Sequence, residues 1–136
     1  MISRNKSHEY GVQSVYAMLV FIKEDIAFDL PAVVSGVTGT EYSELPVFLK
    51  ETLINIVKNY SEIVTNLTPY LRDWKFERLN LVTQAILNYS YAVYFYTEDK
   101  GISKAVIINV AIKLSKLFNP TEDYKFINAV LDGVLI

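Results

Sequence analysis

The stretch Tyr124-Lys125-Phe126-Ile127-Asn128-Ala129-Val130-Leu131-Asp132 decides the reading of this chain, and it is of helix length. Thr121-Glu122-Asp123 opens it, placing two acids at the positive end of the helix macrodipole. Toward the N-terminus lies a second helix-sized block, Val106-Ile107-Ile108-Asn109-Val110-Ala111-Ile112-Lys113-Leu114-Ser115-Lys116. Its stripe is Val106, Val110, Leu114 and Leu117, with Ser103 placed to cap it and Asn119-Pro120 to break it. Before it, Gly101 suits a helix stop, because glycine tolerates the left-handed conformation that commonly closes a helix. The helix that stops there runs from about Glu77 to Tyr96 and reads as the longest clean one, with Leu79, Val82, Ile86, Tyr89 and Val93 on one face. Trp74-Lys75-Phe76-Glu77-Arg78-Leu79 leads into it from an Arg72-Asp73-Trp74 connector.

The N-terminal half has the same character. A first helix is expected from about Arg4 to Lys23, with Val12, Val15, Tyr16, Leu19 and Ile22 on one face. A weaker element around Asp29 to Val34 ends at the Gly36 to Gly39 turn. Ser43 and Pro46 suit the start of a helix carrying Phe48, Thr52, Ile56 and Tyr60, because proline is tolerated in a first turn. A further segment, Ser61 to Leu71, is disturbed by Pro69. No long alternating pattern competes with these segments and no linker divides them. The expectation is a single all-α domain over residues 1–136, with Val12, Leu19, Leu79, Ile86, Val110, Leu114 and Leu131 buried.

Composition narrows the chemistry. Cysteine is absent and His8 is the only histidine, which excludes disulfides and makes a structural metal site implausible. Glu24-Asp25, Glu98-Asp99 and Glu122-Asp123 are adjacent in sequence at helix ends, where neighbours point about 100° apart, poor geometry for a shared substrate. Gly36-Val37-Thr38-Gly39 lacks the lysine of a phosphate loop. Neither an enzyme nor a cofactor is expected. The Arg4 and Lys6 charges precede an apolar run to Ile22, but Gln13 and Ser14 interrupt that run and Lys23-Glu24-Asp25 follows. An amphipathic helix in a cytoplasmic protein is the better reading than a signal peptide, and no run approaches the roughly 20 residues that span a bilayer. With a net charge of -2, nucleic acid would have to be held by a local cluster of cations. Arg4, Lys6 and His8, alternating in what reads as an exposed first turn, are the candidate cluster; a merely solvated arm is the alternative.

In order and spacing, the three C-terminal blocks resemble the NusB family of bacterial transcription antitermination factors. Gln13-Ser14-Val15-Tyr16 resembles the Gln-Ala-Leu-Tyr of that family's first helix. The resemblance runs from about Arg4 to Asp132 and implies about seven helices in two small packed bundles that share the central helix. It implies a non-enzymatic adaptor in transcription regulation that binds boxA-type single-stranded RNA together with NusE, a small-subunit ribosomal protein. The pair would link nascent ribosomal RNA to the RNA polymerase antitermination complex.

By the same resemblance Arg4, Lys6 and His8 fall in an arginine-rich RNA-contacting segment, with arginine usual where His8 stands. Tyr16 and Phe126 match family aromatics that can stack a base, beside Lys125, and Glu122 falls where an aspartate borders the RNA. Either ring could instead be core. Asn109, Asn128 and Asp132 read as structural, with Asn109 tying its helix to a neighbour, and Trp74 as a bundle-closing aromatic, with a ligand platform as the alternative. Tyr89, Tyr91, Tyr94 and Tyr96 mark either a partner surface or an AT-rich genome. The family's usual residues are replaced at Asn55, Thr83, Gln84 and Val110. The rival reading is a protein–protein module with little RNA affinity. A third, the RNA-binding front of a ribosomal RNA methyltransferase, lacks its cofactor-binding region here, and Asp132 to Ile136 reads as a natural end. A weak homodimer is compatible with the resemblance.

Overall fold

The computed structural model describes residues 2–97, 102–119 and 121–136; Gly101, Pro120 and the Glu98-Asp99 pair lie outside the described residues. Six α-helices are described: α1 (Arg4–Lys23), α2 (Leu30–Thr38), α3 (Val47–Leu67), α4 (Leu81–Tyr96), α5 (Lys104–Phe118) and α6 (Asp123–Val134). Single 3₁₀ turns lie at Tyr42–Glu44, Thr68–Tyr70 and Phe76–Arg78, and there is no strand among the described residues. The expected seven segments become six helices because the two expected between Pro46 and Leu71 fuse into α3. Their junction survives as a kink at Asn59, whose φ of -121° and ψ of 20° are not helical.

Local chemistry sets most boundaries. Ser3, Asp29 and Ser103 accept hydrogen bonds from the backbone N–H of Lys6, Ala32 and Val106, satisfying donors that the first turns of α1, α2 and α5 leave open. Gly39, at φ 69°, closes α2 in the left-handed conformation. Helix α4 begins at Leu81 rather than Glu77, because Asn80 caps it by accepting from Val82 N–H at 2.8 Å. At 16 residues it is shorter than α1 and α3, not the longest helix.

Two bundles share α4: α1, α2 and α3 on one side, α5 and α6 on the other. Every residue from Thr83 to Val93 is buried, so α4 is covered all round rather than along one stripe. The tyrosines on several of its faces therefore pack mainly inward: Tyr89 and Tyr91 are buried, Tyr94 and Tyr96 half-buried. Helix α1 packs tightly on α4 at Gly11, where any Cβ would overlap the Tyr89 ring. Val12, Leu19, Ile86, Leu114 and Leu131 are buried as expected, but Leu79 and Val110 are only half-buried. In α5 the buried face is Ile107, Ala111, Leu114 and Ser115, which leaves Val106 and Leu117 of the expected stripe exposed.

Asn109 is exposed too, on the solvent side of that helix, and does not tie it to a neighbour as a buried amide would. Asp132 does join helices, through a 3.3 Å ion pair from α6 to Lys104 of α5. No helix among the described residues is long and apolar enough to cross a membrane.

Candidate nucleic-acid interface

Helix α1 runs antiparallel to α4: Arg4 shares a cleft with Ser90 and Val93, and Val12 and Tyr16 share another with Val82. The candidate residues on α1 therefore follow the length of α4. From Arg4 to Tyr16 they span about 18 Å at 1.5 Å per residue. Helix α5 forms the opposite wall. Arg4 faces Val106, Asn5 and Glu9 face Lys113 and Leu117, and Gln13 and Tyr16 face Phe118. The result is a trough between α1 and α5 with α4 at its base.

At the start of α1 the cations are engaged with the protein itself. The Arg4 guanidinium lies 3.9 Å from the centre of the Phe48 ring. Lys6 is 3.6 Å from a Glu9 carboxylate oxygen and 5.0 Å from the Tyr10 ring centre, and remains exposed. His8 is the clear departure from expectation. Its side chain is not in an exposed turn; the residue is 8% exposed and faces the core one turn before Gly11. Its Nδ1 shares a 2.7 Å hydrogen bond with the Tyr89 hydroxyl, and its ring meets Phe48 edge-on. Burial first, and Arg4 second, push its pKa down to about 4, so the imidazole is neutral at ordinary pH. Burial likewise raises the Tyr89 pKa and keeps that hydroxyl protonated. His8 therefore packs the α1–α4 contact and offers no outward cation; a residue that points into the bundle cannot do what an arginine pointing outward would.

At the other end of α1, Tyr16 is 42% exposed and is not core despite lying on the apolar stripe. It opens onto a cleft of about 330 Å³ lined by Val12, Gln13, Val82 and Phe118. Phe126, half-buried on α6, lines a second cleft of about 320 Å³ with Trp74, Leu79 and Thr83. Val82 and Thr83 are neighbours in the first turn of α4, so the two clefts lie on either side of that turn. Glu122 and Lys125 pair at 3.2 Å on the α6 rim, both well exposed.

In the Phe126 cleft, Asp123 joins α4, α5 and α6. Its Oδ2 accepts from Thr83 Oγ1 at 3.2 Å and from Asn119 Nδ2 at 2.8 Å, while Thr121 donates to Asn119 Oδ1. Thr83, one of the replaced family positions, thus has a structural partner. The structure brings Tyr16 and Phe126 to one end of α4 and leaves Arg4 and Lys6 at the other.

Trp74 also departs from the packing role expected of it. It is 57% exposed rather than closing the bundle. Its one legible signal was the Arg72-Asp73-Trp74 connector, where a bulky aromatic follows two charged residues outside any helix.

An all-helical pair of bundles sharing one central helix, with a trough between α1 and α5, defines the class of fold. Comparison with known proteins gives the family. The NusB family profile matches residues 8–135. The transcription antitermination protein NusB of Macrococcus caseolyticus is 31% identical over 134 residues, 98% of this chain and 97% of that protein. That of Bacillus mycoides is 32% identical over the same shares. A solved NusB structure from T. maritima superposes with a TM-score of 0.76 at 21% identity, covering 98% of this chain and 90% of that one, a likeness of fold. The chain belongs to the NusB family of transcription antitermination proteins, which are adaptors and not enzymes.

Proposed function

We propose that this protein, acting as a single domain over residues 1–136, binds boxA-type single-stranded RNA along the α1–α5 trough together with the ribosomal protein NusE. It thereby links nascent ribosomal RNA to the RNA polymerase antitermination complex in the cytoplasm. The observation that carries this reading is the pair of open aromatic clefts, at Tyr16 and at Phe126, flanking the first turn of α4. Unpaired bases expose both faces and edges, and stacking on an aromatic ring is worth roughly 1–3 kcal/mol per base. Arg4 and Lys6 at the far end would meet backbone phosphates, and Lys125 a phosphate near Phe126. Holding the transcript near polymerase raises the local concentration of factors without covalent chemistry.

A second reading has its own support. The cations at Lys6 and Lys125 already have carboxylate partners, which suits a protein–protein module with little RNA affinity. Titrating a labelled boxA-type RNA with this protein, with and without NusE, separates the two. Binding by the pair that tightens well beyond either protein alone supports the RNA adaptor; a stable complex with NusE that ignores RNA supports the module and defeats the first reading.

A further inference from the structure

We propose that the cleft between Trp74 and Phe126 is a second nucleobase site, which takes one unpaired base carrying an exocyclic amino group. This rests on the RNA-binding reading and adds to it a platform, Trp74, and a base-edge acceptor, Asp123.

The backbone presents Trp74 deliberately. Leu71 is fully buried on one side of the connector and Phe76 is 2% exposed on the other, so both ends are pinned in the core. Between them Arg72 and Asp73 stand at φ 53° and 71°, consecutive non-glycine residues in the left-handed region. Such residues are uncommon and costly, and they persist where the surroundings over-determine them. Their effect is to reverse the chain, with Trp74 N–H donating to the Leu71 carbonyl at 3.1 Å, and to leave the indole outside the bundle. An indole needed only for packing would lie inside it.

What the indole faces is a built cleft. At about 320 Å³ it stands at the lower end of the range typical of small-molecule sites. Phe126 provides a second aromatic wall and Arg78 a cation at the rim, where a nucleotide carries its phosphate. Asp123 is held in place through Oδ2 by Thr83 and Asn119, which leaves Oδ1 as a fixed acceptor. Asn80 spends its side-chain oxygen on the α4 cap and keeps its amide N–H groups for an acceptor on the same base. Adenine, cytosine and guanine each offer an amino donor to a carboxylate. Uracil offers only an N–H between two carbonyl oxygens, and those would face the Asp123 charge. The ring pair, the rim cation and the acceptor–donor pair together match a nucleobase better than an aliphatic side chain.

Trp74 is the only tryptophan in the chain, so its emission reports this cleft alone in the isolated protein. The test titrates the full-length protein with a single-stranded boxA-type RNA of roughly 12 nucleotides, within the usual range of single-strand site sizes. Affinity is read from the anisotropy of a labelled RNA and the cleft from tryptophan emission. The titration is repeated with NusE present, using the NusE complex without RNA as the reference for emission.

The expected result is strong quenching on RNA addition, affinity about tenfold weaker in Trp74→Ala, and near-parent affinity in Trp74→Phe, which keeps a stacking face. Asp123→Asn should narrow the preference for amino-bearing bases over uracil at one position. If RNA binds in an Arg4- and Lys6-dependent manner while the emission stays unchanged and Trp74→Ala binds like the parent, the second site is overturned and the RNA reading stands. Quenching by NusE with no further change on RNA assigns the cleft to protein and also overturns it. No RNA binding under either condition removes both proposals.

Discussion

The two ends of α1 make opposite use of the same helix. At its start, the residues that look most like a nucleic-acid contact in the sequence are engaged with the protein: Arg4 over Phe48, Lys6 beside Glu9, His8 buried against Tyr89. At its far end Tyr16 looks ordinary in sequence, a ring on an apolar stripe, and yet it opens onto a cleft. Across the first turn of α4 stand Phe126 and Trp74 in a second cleft. Positive charge in a sequence is thus not the same as charge available to a ligand. Stacking capacity is concentrated at one end of α4, where Arg78 and Lys125 add charge, while the Arg4 and Lys6 cations, already engaged by internal partners, lie at the other.

Gly11 lies between the two ends of α1 that these residues mark. A Cβ there would overlap the Tyr89 ring, which is buried and hydrogen-bonded to His8 and so has little room to swing aside. Gly11→Ala should lower stability by about 3 kcal/mol, at the upper end for overpacking, as measured by chemical denaturation. A parent-like midpoint would mean that α1 and α4 are not so close and that the two ends are not held on one axis.

Next in size is the His8 contact. His8→Ala leaves the Tyr89 hydroxyl buried without its partner, at about 2 kcal/mol. The pH dependence has a definite sign. The folded protein holds His8 neutral down to about pH 4, whereas the unfolded chain protonates it near 6.5, so the unfolded state binds more protons between those values. Stability from this group is full above about 6.5 and is lost as pH falls toward 4. The loss, on the order of 2 kcal/mol, should disappear in His8→Ala. An unaltered pH profile in that variant would return His8 to the surface.

The stacking end is tested by Phe126→Asp, which removes a ring and adds a repelling carboxylate; RNA binding should weaken more than tenfold. Circular dichroism must show the variant folded, since Phe126 is half-buried. The Coulombic end should contribute less. With about three phosphates neutralised, log K should fall with log salt at a slope of roughly -2, and replacing Arg4 and Lys6 by Ala should flatten it by about 1.4. If Phe126→Asp binds like the parent while that double variant loses all affinity, the two ends have exchanged importance. The smallest effect is expected at Glu122→Gln, which removes a repelling charge and frees Lys125 from its 3.2 Å partner. Binding should tighten by roughly two- to fivefold, as befits an exposed pair.

Helix identity was legible in the sequence because its causes are local. Repeating apolar positions matched α1 from Arg4 to Lys23, and Ser103 marked the cap of α5 by chemistry confined to one turn. The family was legible for the same reason, since its blocks are short runs in a fixed order. Periodicity, however, says which residues share a face and nothing of what covers that face. Only tertiary packing buried α4 on every side, left Val106 and Leu117 of α5 exposed, and turned Asn109 to solvent. Packing likewise set His8 against Tyr89, 81 positions away, and brought Phe126 beside Trp74 across a connector with two left-handed residues. Burial is a property of contacts between distant segments, and so a residue's availability to a ligand was decided in the folded structure.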